Sequence, residues 1–176
     1  MKIIFKIILI TQFIYPFISS DVSGNNGLVV SSKLQASEIG INIMKNGGNA
    51  IDAAIGVCFA LAVTHPSAGN LGGGGFIVIK FADGSSTTID FRETAPYLSS
   101  EKMFLDDNGN VIEGMSTSSS LSVGVPGTVA GMGYIHEKYG TLPWEDLLYP
   151  SFLLAKYGFK LDQHNFYLFN KLYINY

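Results

Sequence analysis

Arg92 is the residue whose type and setting point most directly to chemistry. It lies in the run Asp90-Phe91-Arg92-Glu93, at the end of an apolar stretch that reads as a hairpin strand. A guanidinium offers a planar fork that holds a carboxylate through two parallel hydrogen bonds. Strand alternation places Asp90 and Arg92 on one side and Glu93 on the other. Two roles are open to Arg92: gripping a ligand carboxylate, or closing an internal salt bridge with Asp90.

Other reactive residues form weaker patterns. His65, His136 and His164 lack the spacing of zinc ligands, and no metal is expected. His65 suits an acid or base, but its place between a helix end and Pro66 suits a structural cap equally. Ser116–Ser120 supplies hydroxyls without the Gly-x-Ser-x-Gly elbow of a serine nucleophile, and reads as a solvated loop. Asp52 reads as a cap-region carboxylate and Glu38 as a surface one. Cys58 is the single cysteine, so an internal disulfide is excluded, and its apolar surroundings suit a small buried hydrophobe. The glycine loop Gly69–Gly75 carries no Gly-Lys-Ser/Thr and leads into a strand, so it is not a nucleotide cradle. Its run of four glycines suits close approach to a ligand or to another chain segment.

These residues need elements to position them. Leu28–Ser32 reads as a short buried strand, followed by a helix over Lys33–Asn46 that Gly47-Gly48 stops. Asn49 is placed to cap a second helix, Ala50–Val63, whose nearly all-round apolar surface belongs inside a layered protein. Phe76–Phe81 and Thr87–Phe91 read as strands joined by the hairpin signal Asp83-Gly84. Asp106–Asn110 reads as a turn and Leu121–Val125 as a further strand. Pro126 can open a helix running to about Tyr139, and Pro143 a last one that Pro150 should kink or divide. This order of elements predicts helices packed on a sheet, an α+β architecture.

Composition bounds the function classes. The 176 residues are 47% hydrophobic and only 14% charged, which excludes a disordered chain. A net charge of −3 lacks the basic stripe of a nucleic-acid binder, and no nucleic-acid partner is expected. Twenty glycines without a period exclude collagen and repeat arrays.

Residues 1–20 differ from the rest. Lys2 and Lys6 precede an apolar stretch to Ile18, and Ser19-Ser20 offers small residues for cleavage. This is the layout of a secretory signal, with an uncleaved signal-anchor as the alternative. The expected location is the secretory pathway, then the extracellular space or the outer face of the plasma membrane. Membrane association is expected only if the leader stays as an anchor. No Asn-x-Ser/Thr acceptor occurs.

Five stretches together resemble the N-terminal part of gamma-glutamyltransferases (gamma-glutamyltranspeptidases, glutathione hydrolases). They are Gly47–Ala54, His65-Pro66 leading to Gly72–Gly75, Asp90–Pro96, Gly124–Thr128, and Tyr139-Gly140 through Pro143-Trp144. The resemblance covers residues 25–160 and fades from Gly158, so that 21–160 reads as a partial large-subunit domain and 161–176 as an atypical tail. It implies part of the layered αββα fold of N-terminal-nucleophile hydrolases, here incomplete. It implies a precursor that cuts itself into a large and a small subunit, and glutathione and other gamma-glutamyl compounds as substrates. The new N-terminal threonine of the small subunit would be the nucleophile, activated by its own amine. That threonine has no counterpart in this chain; Thr87-Thr88 belongs to the hairpin. No cofactor is implied. The family arginine that holds the substrate's alpha-carboxylate corresponds to Arg92, with Glu93 a second candidate supporting that arginine or the substrate's amine.

Overall fold

The computed structural model describes residues 22–174. The elements in chain order are α1 (Leu34–Lys45), α2 (Ala50–Thr64), β1 (Phe76–Lys80), β2 (Ser86–Asp90), the short α3 (Met115–Ser118), α4 (Thr128–Tyr139), α5 (Trp144–Tyr157) and α6 (Gln163–Ile174). The leader at 1–20 lies outside the described residues. Among the described residues no helix is long and apolar enough to cross a membrane.

Helix α2 forms the centre. Asn49 caps it as the sequence suggests: its side chain accepts from the amides of Ile51 and Asp52, at 2.7 and 3.0 Å. The Asp52 carboxylate returns the bond to the Asn49 amide at 2.9 Å, completing a capping box. The helix is apolar around most of its circumference and packs against α1, α4 and α5. Gly40 of α1 permits the close α1–α2 contact, since a Cβ there would stand 2.7 Å from a Val57 methyl. The core joins Ile43, Ala53, Ile55, Phe59, Met132, Ile135 and Leu147, with the Trp144 ring edge-on to Phe59 at 5.5 Å. Each such large aliphatic side chain removed from a packed core costs about 2–5 kcal/mol.

The hairpin β1–β2 is antiparallel, with Phe76 opposite Asp90 and Lys80 opposite Ser86. Gly84, at φ +88°, takes the left-handed position that the Asp83-Gly84 turn demands. Ile77, Ile79 and Ile89 turn towards the helices, whereas Phe76 and Val78 face outwards and are exposed.

Several expectations need correction. Leu28–Ser32 is not a strand; it has no ladder partner among the described residues, and Val30 is 82% exposed. Apolar β-branched residues alone do not make a strand without a neighbour to share backbone hydrogen bonds. Leu121–Val125 likewise forms a 3-10 turn at Ser120–Ser122 and a single bridge, Val125 to Thr94. Ser116–Ser118 falls in α3 rather than in an open loop, although its serines stay exposed. The helix after Pro126 starts two residues later than Pro126 itself, at Thr128. Pro143 stands as the cap of α5, and Pro150 does not divide that helix.

The tail is helical and tied down. Lys33, 6% exposed, pairs with Asp162 at 2.5 Å. Asp162 also accepts from the Asn165 amide at 2.8 Å, and the Asn165 side chain donates to the Thr64 carbonyl at 2.6 Å. Asp162 thus caps α6 while Asn165 covers the C-terminus of α2.

Candidate functional site

The site is built where β2 ends. The pairing runs one step past β2, to Gly75 and Phe91, and there the Asp90 side chain accepts from the Arg92 amide at 2.9 Å. This Asx-type turn occupies Asp90 with the backbone. The internal salt bridge open to Arg92 is therefore made with Glu93, not Asp90: Arg92 Nε lies 3.5 Å from Glu93 Oε2. Both residues lie beyond β2, where strand alternation no longer sets the side each takes. The pair is long and exposed, with Arg92 at 63% and Glu93 at 36%. Such a pair holds little stability. It engages Nε alone; among the described residues no hydrogen-bond partner meets the two terminal nitrogens. The guanidinium carbon sits 5.8 Å from the centre of the exposed Phe76 ring. A fork with free terminal nitrogens, backed by an aromatic ring and flanked by one carboxylate, can accept a further carboxylate.

The glycine run has a definite task. A Cβ on Gly74 would stand 2.5 Å from the Phe91 carbonyl oxygen and 2.8 Å from Arg92 Cα. The close approach anticipated for these glycines is thus to another chain segment, the one carrying Arg92. On its far side Gly124 faces Glu93, where a Cβ would stand 3.1 Å from Glu93 Cβ. A cavity of about 270 Å³ opens beside Glu93, lined also by Thr94, Pro96, Phe104 and Leu121. A larger one of about 460 Å³ lies between Leu28–Val30, α2 and the hairpin; it is apolar and holds no charged side chain.

The remaining candidates sit elsewhere. His65 is the C-cap residue of α2, and its ring packs against His164 at 6.1 Å. His136 contacts the Leu142 carbonyl through Nε2 at 2.8 Å and lies against Trp144. Cys58 lines the apolar cavity, and burial pushes its thiol pKa up. Glu38 is exposed. Asp52 does more than cap: it reaches the Thr141 amide at 3.0 Å and the Thr141 hydroxyl at 2.5 Å. Burial alone would raise its pKa, but the hydroxyl of Thr141 and the amides of Asn49 and Thr141 outweigh that and hold the carboxyl below its ordinary range. Among the described residues no group of three or more His, Cys, Asp or Glu could hold a metal ion. Phe76 was not marked by its position in the sequence; the period-two pattern of β1 could have placed it on the open face beside Arg92.

Helices around a small antiparallel sheet, with Arg92 just past the sheet's end, make a partial α+β fold, and its structural neighbours are N-terminal-nucleophile hydrolases. A solved gamma-glutamyltranspeptidase from Helicobacter pylori has this fold, superposing with a TM-score of 0.78 at 49% identity over 82% of this chain and 41% of that one. The model of the gamma-glutamyltranspeptidase family matches residues 36–173, and the chain belongs to that family. It is 54% identical over 142 residues to a glutathione hydrolase proenzyme of Pseudomonas sp. strain A14, covering 81% of this chain and 25% of the relative. A glutathione hydrolase proenzyme of Escherichia coli K12 is 51% identical over 138 residues, covering 78% and 24%. The chain thus spans about a quarter of the length of these curated relatives.

Proposed function

We propose that the full-length protein carrying this chain hydrolyses glutathione and transfers gamma-glutamyl groups. The observation that carries the reading is the free guanidinium fork of Arg92 inside a chain of this family. Arg92 holds the donor's alpha-carboxylate through its terminal nitrogens, and Glu93 supports Arg92 through Nε or receives the donor's alpha-amine. The small subunit supplies the threonine. Its hydroxyl attacks the gamma-amide carbonyl, its own amine takes the proton, and the carbon–nitrogen bond breaks to release the amine product. Water or an amino acid then takes the glutamyl group from the threonine ester. In this scheme the chain described here contributes substrate grip and no nucleophile. Residues 1–20 direct it to the secretory route, which N-terminal sequencing of the secreted product would test.

The functional test is hydrolysis of a gamma-glutamyl anilide. The protein extended to the length of its relatives should turn it over, and the 176-residue chain should not. Turnover by the short chain would contradict the division of labour.

A further inference from the structure

We infer that Phe91 is the positioning residue for Arg92, seated between two glycine walls that set where the guanidinium stands. The inference rests on the carboxylate-gripping reading of Arg92.

The first wall is the loop before β1. Gly75 exchanges backbone hydrogen bonds with Phe91 in both directions, at 2.9 and 3.4 Å. A Cβ on Gly74 would press on the Phe91 carbonyl oxygen, and one on Gly75 would stand 3.2 Å from the Phe91 ring. The second wall is the start of α4. A Cβ on Gly127 would overlap the Phe91 carbonyl, with its carbon only 2.7 Å away. One on Gly131, a helical turn later, would stand 2.6 Å from Phe91 Cβ and closer still to Cγ. The walls are fastened to each other, since the amides of Gly127 and Thr128 both donate to the Gly73 carbonyl, at 2.9 and 3.0 Å.

Residue 91 is therefore fixed on both faces of its peptide, and its ring is packed against the core. Arg92 is its neighbour and is less firmly packed: it is exposed, held by one long ion pair and backed by the exposed Phe76 ring. Its backbone is set by the Phe91 seat and by the Asx-type turn from Asp90. A shift of the Phe91 ring or carbonyl passes to the Arg92 Cα through one peptide. Bidentate recognition tolerates little misplacement, and a displacement of about 1 Å at a positioned group can cost on the order of a hundredfold.

The test compares two donors in the full-length protein: gamma-glutamyl para-nitroanilide, and gamma-aminobutyryl para-nitroanilide, which lacks only the alpha-carboxylate. The readout is the ratio of kcat/KM for the two, which a general loss of structure would not move. Arg92→Ala should collapse the ratio. Phe91→Ala should lower it by about threefold or more, chiefly through KM of the carboxylate donor, while Phe91→Leu stays near the wild type. Gly131→Ala, which leaves Phe91 intact but crowds it, should lower the ratio in the same direction and carries the test if Phe91→Ala does not fold. If Arg92→Ala collapses the ratio but the Phe91 and Gly131 variants reduce both donors equally, or neither, the positioning role is overturned alone. An unchanged ratio in Arg92→Ala would overturn the Arg92 reading and this inference with it.

Discussion

Thr141 Oγ1 donates a 2.5 Å hydrogen bond to Asp52 Oδ2, joining the first turn of α2 to the loop between α4 and α5 across 89 positions of sequence. The same carboxylate takes the Thr141 and Asn49 amides. One buried aspartate thus caps the central helix and fastens the chain that returns past it, while the Asn49 side chain donates to the Tyr139 carbonyl at 2.6 Å.

Removing that carboxylate should be costly. Asp52→Ala leaves several donors without partners in a dry setting, and should destabilise the chain by about 2–3 kcal/mol. Urea unfolding of the two proteins measures it; a loss below about 0.5 kcal/mol would show that water or a neighbour takes over.

Asp52 also gives a pH signature. Its folded pKa is depressed, so the folded state favours the charged form and the unfolded state binds the proton more readily. Its contribution is complete above the ordinary Asp value of about 3.9 and is lost as pH falls through the lower folded value. Asp162, whose pKa the Asn165 amide and Lys33 also lower, acts in the same direction. Stability should therefore fall on acidification below about pH 4, and less steeply in Asp52→Asn. Equal slopes in the two proteins would remove Asp52 from this role.

Burial separates the aliphatic residues sharply. Ile55 is 0% exposed at the centre of the core, so Ile55→Ala should cost about 2–5 kcal/mol. Val30→Ala, at a residue that read as part of a buried strand, should stay within about 0.5 kcal/mol, as expected of an exposed side chain. Comparable losses at both positions, measured by thermal or urea unfolding, would place Val30 in a packed layer after all.

The tail should loosen when its buried anchor is removed. Asn165 is 1% exposed and donates to the last carbonyl of α2. Asn165→Ala should speed amide hydrogen exchange through α6, by a factor matching a lost buried hydrogen bond of about 1–3 kcal/mol, and leave α2 largely protected. Unchanged exchange in α6 would show that the Lys33–Asp162 pair suffices.

What the sequence made legible was local. Asn49 and Asp52 stand three apart, so their reciprocal cap could be read from spacing. Asp83-Gly84 announced the hairpin through the positive φ that only glycine takes easily. The helices α1, α2, α4 and α5 could be read from periodicity and their stop signals, whereas α3 and the tail helix α6 could not. The two misplaced strands were cases where a distant partner decides. Leu28–Ser32 and Leu121–Val125 have strand-like residues, but a strand exists only if another chain offers its backbone. Glu93 could be named as a support for Arg92, but that it and not Asp90 makes the ion pair depends on the Asx-type turn that occupies Asp90. The role of Gly74, Gly127 and Gly131 could be sensed as close approach in the first case only; that all three enclose one phenylalanine is a fact of tertiary structure.

The most direct measurement is KM for glutathione in Arg92→Ala of the full-length protein. Loss of a charged, two-pronged contact to the alpha-carboxylate should raise KM by more than about tenfold. A KM equal to the wild-type value would contradict the assignment of Arg92 as the substrate-gripping residue.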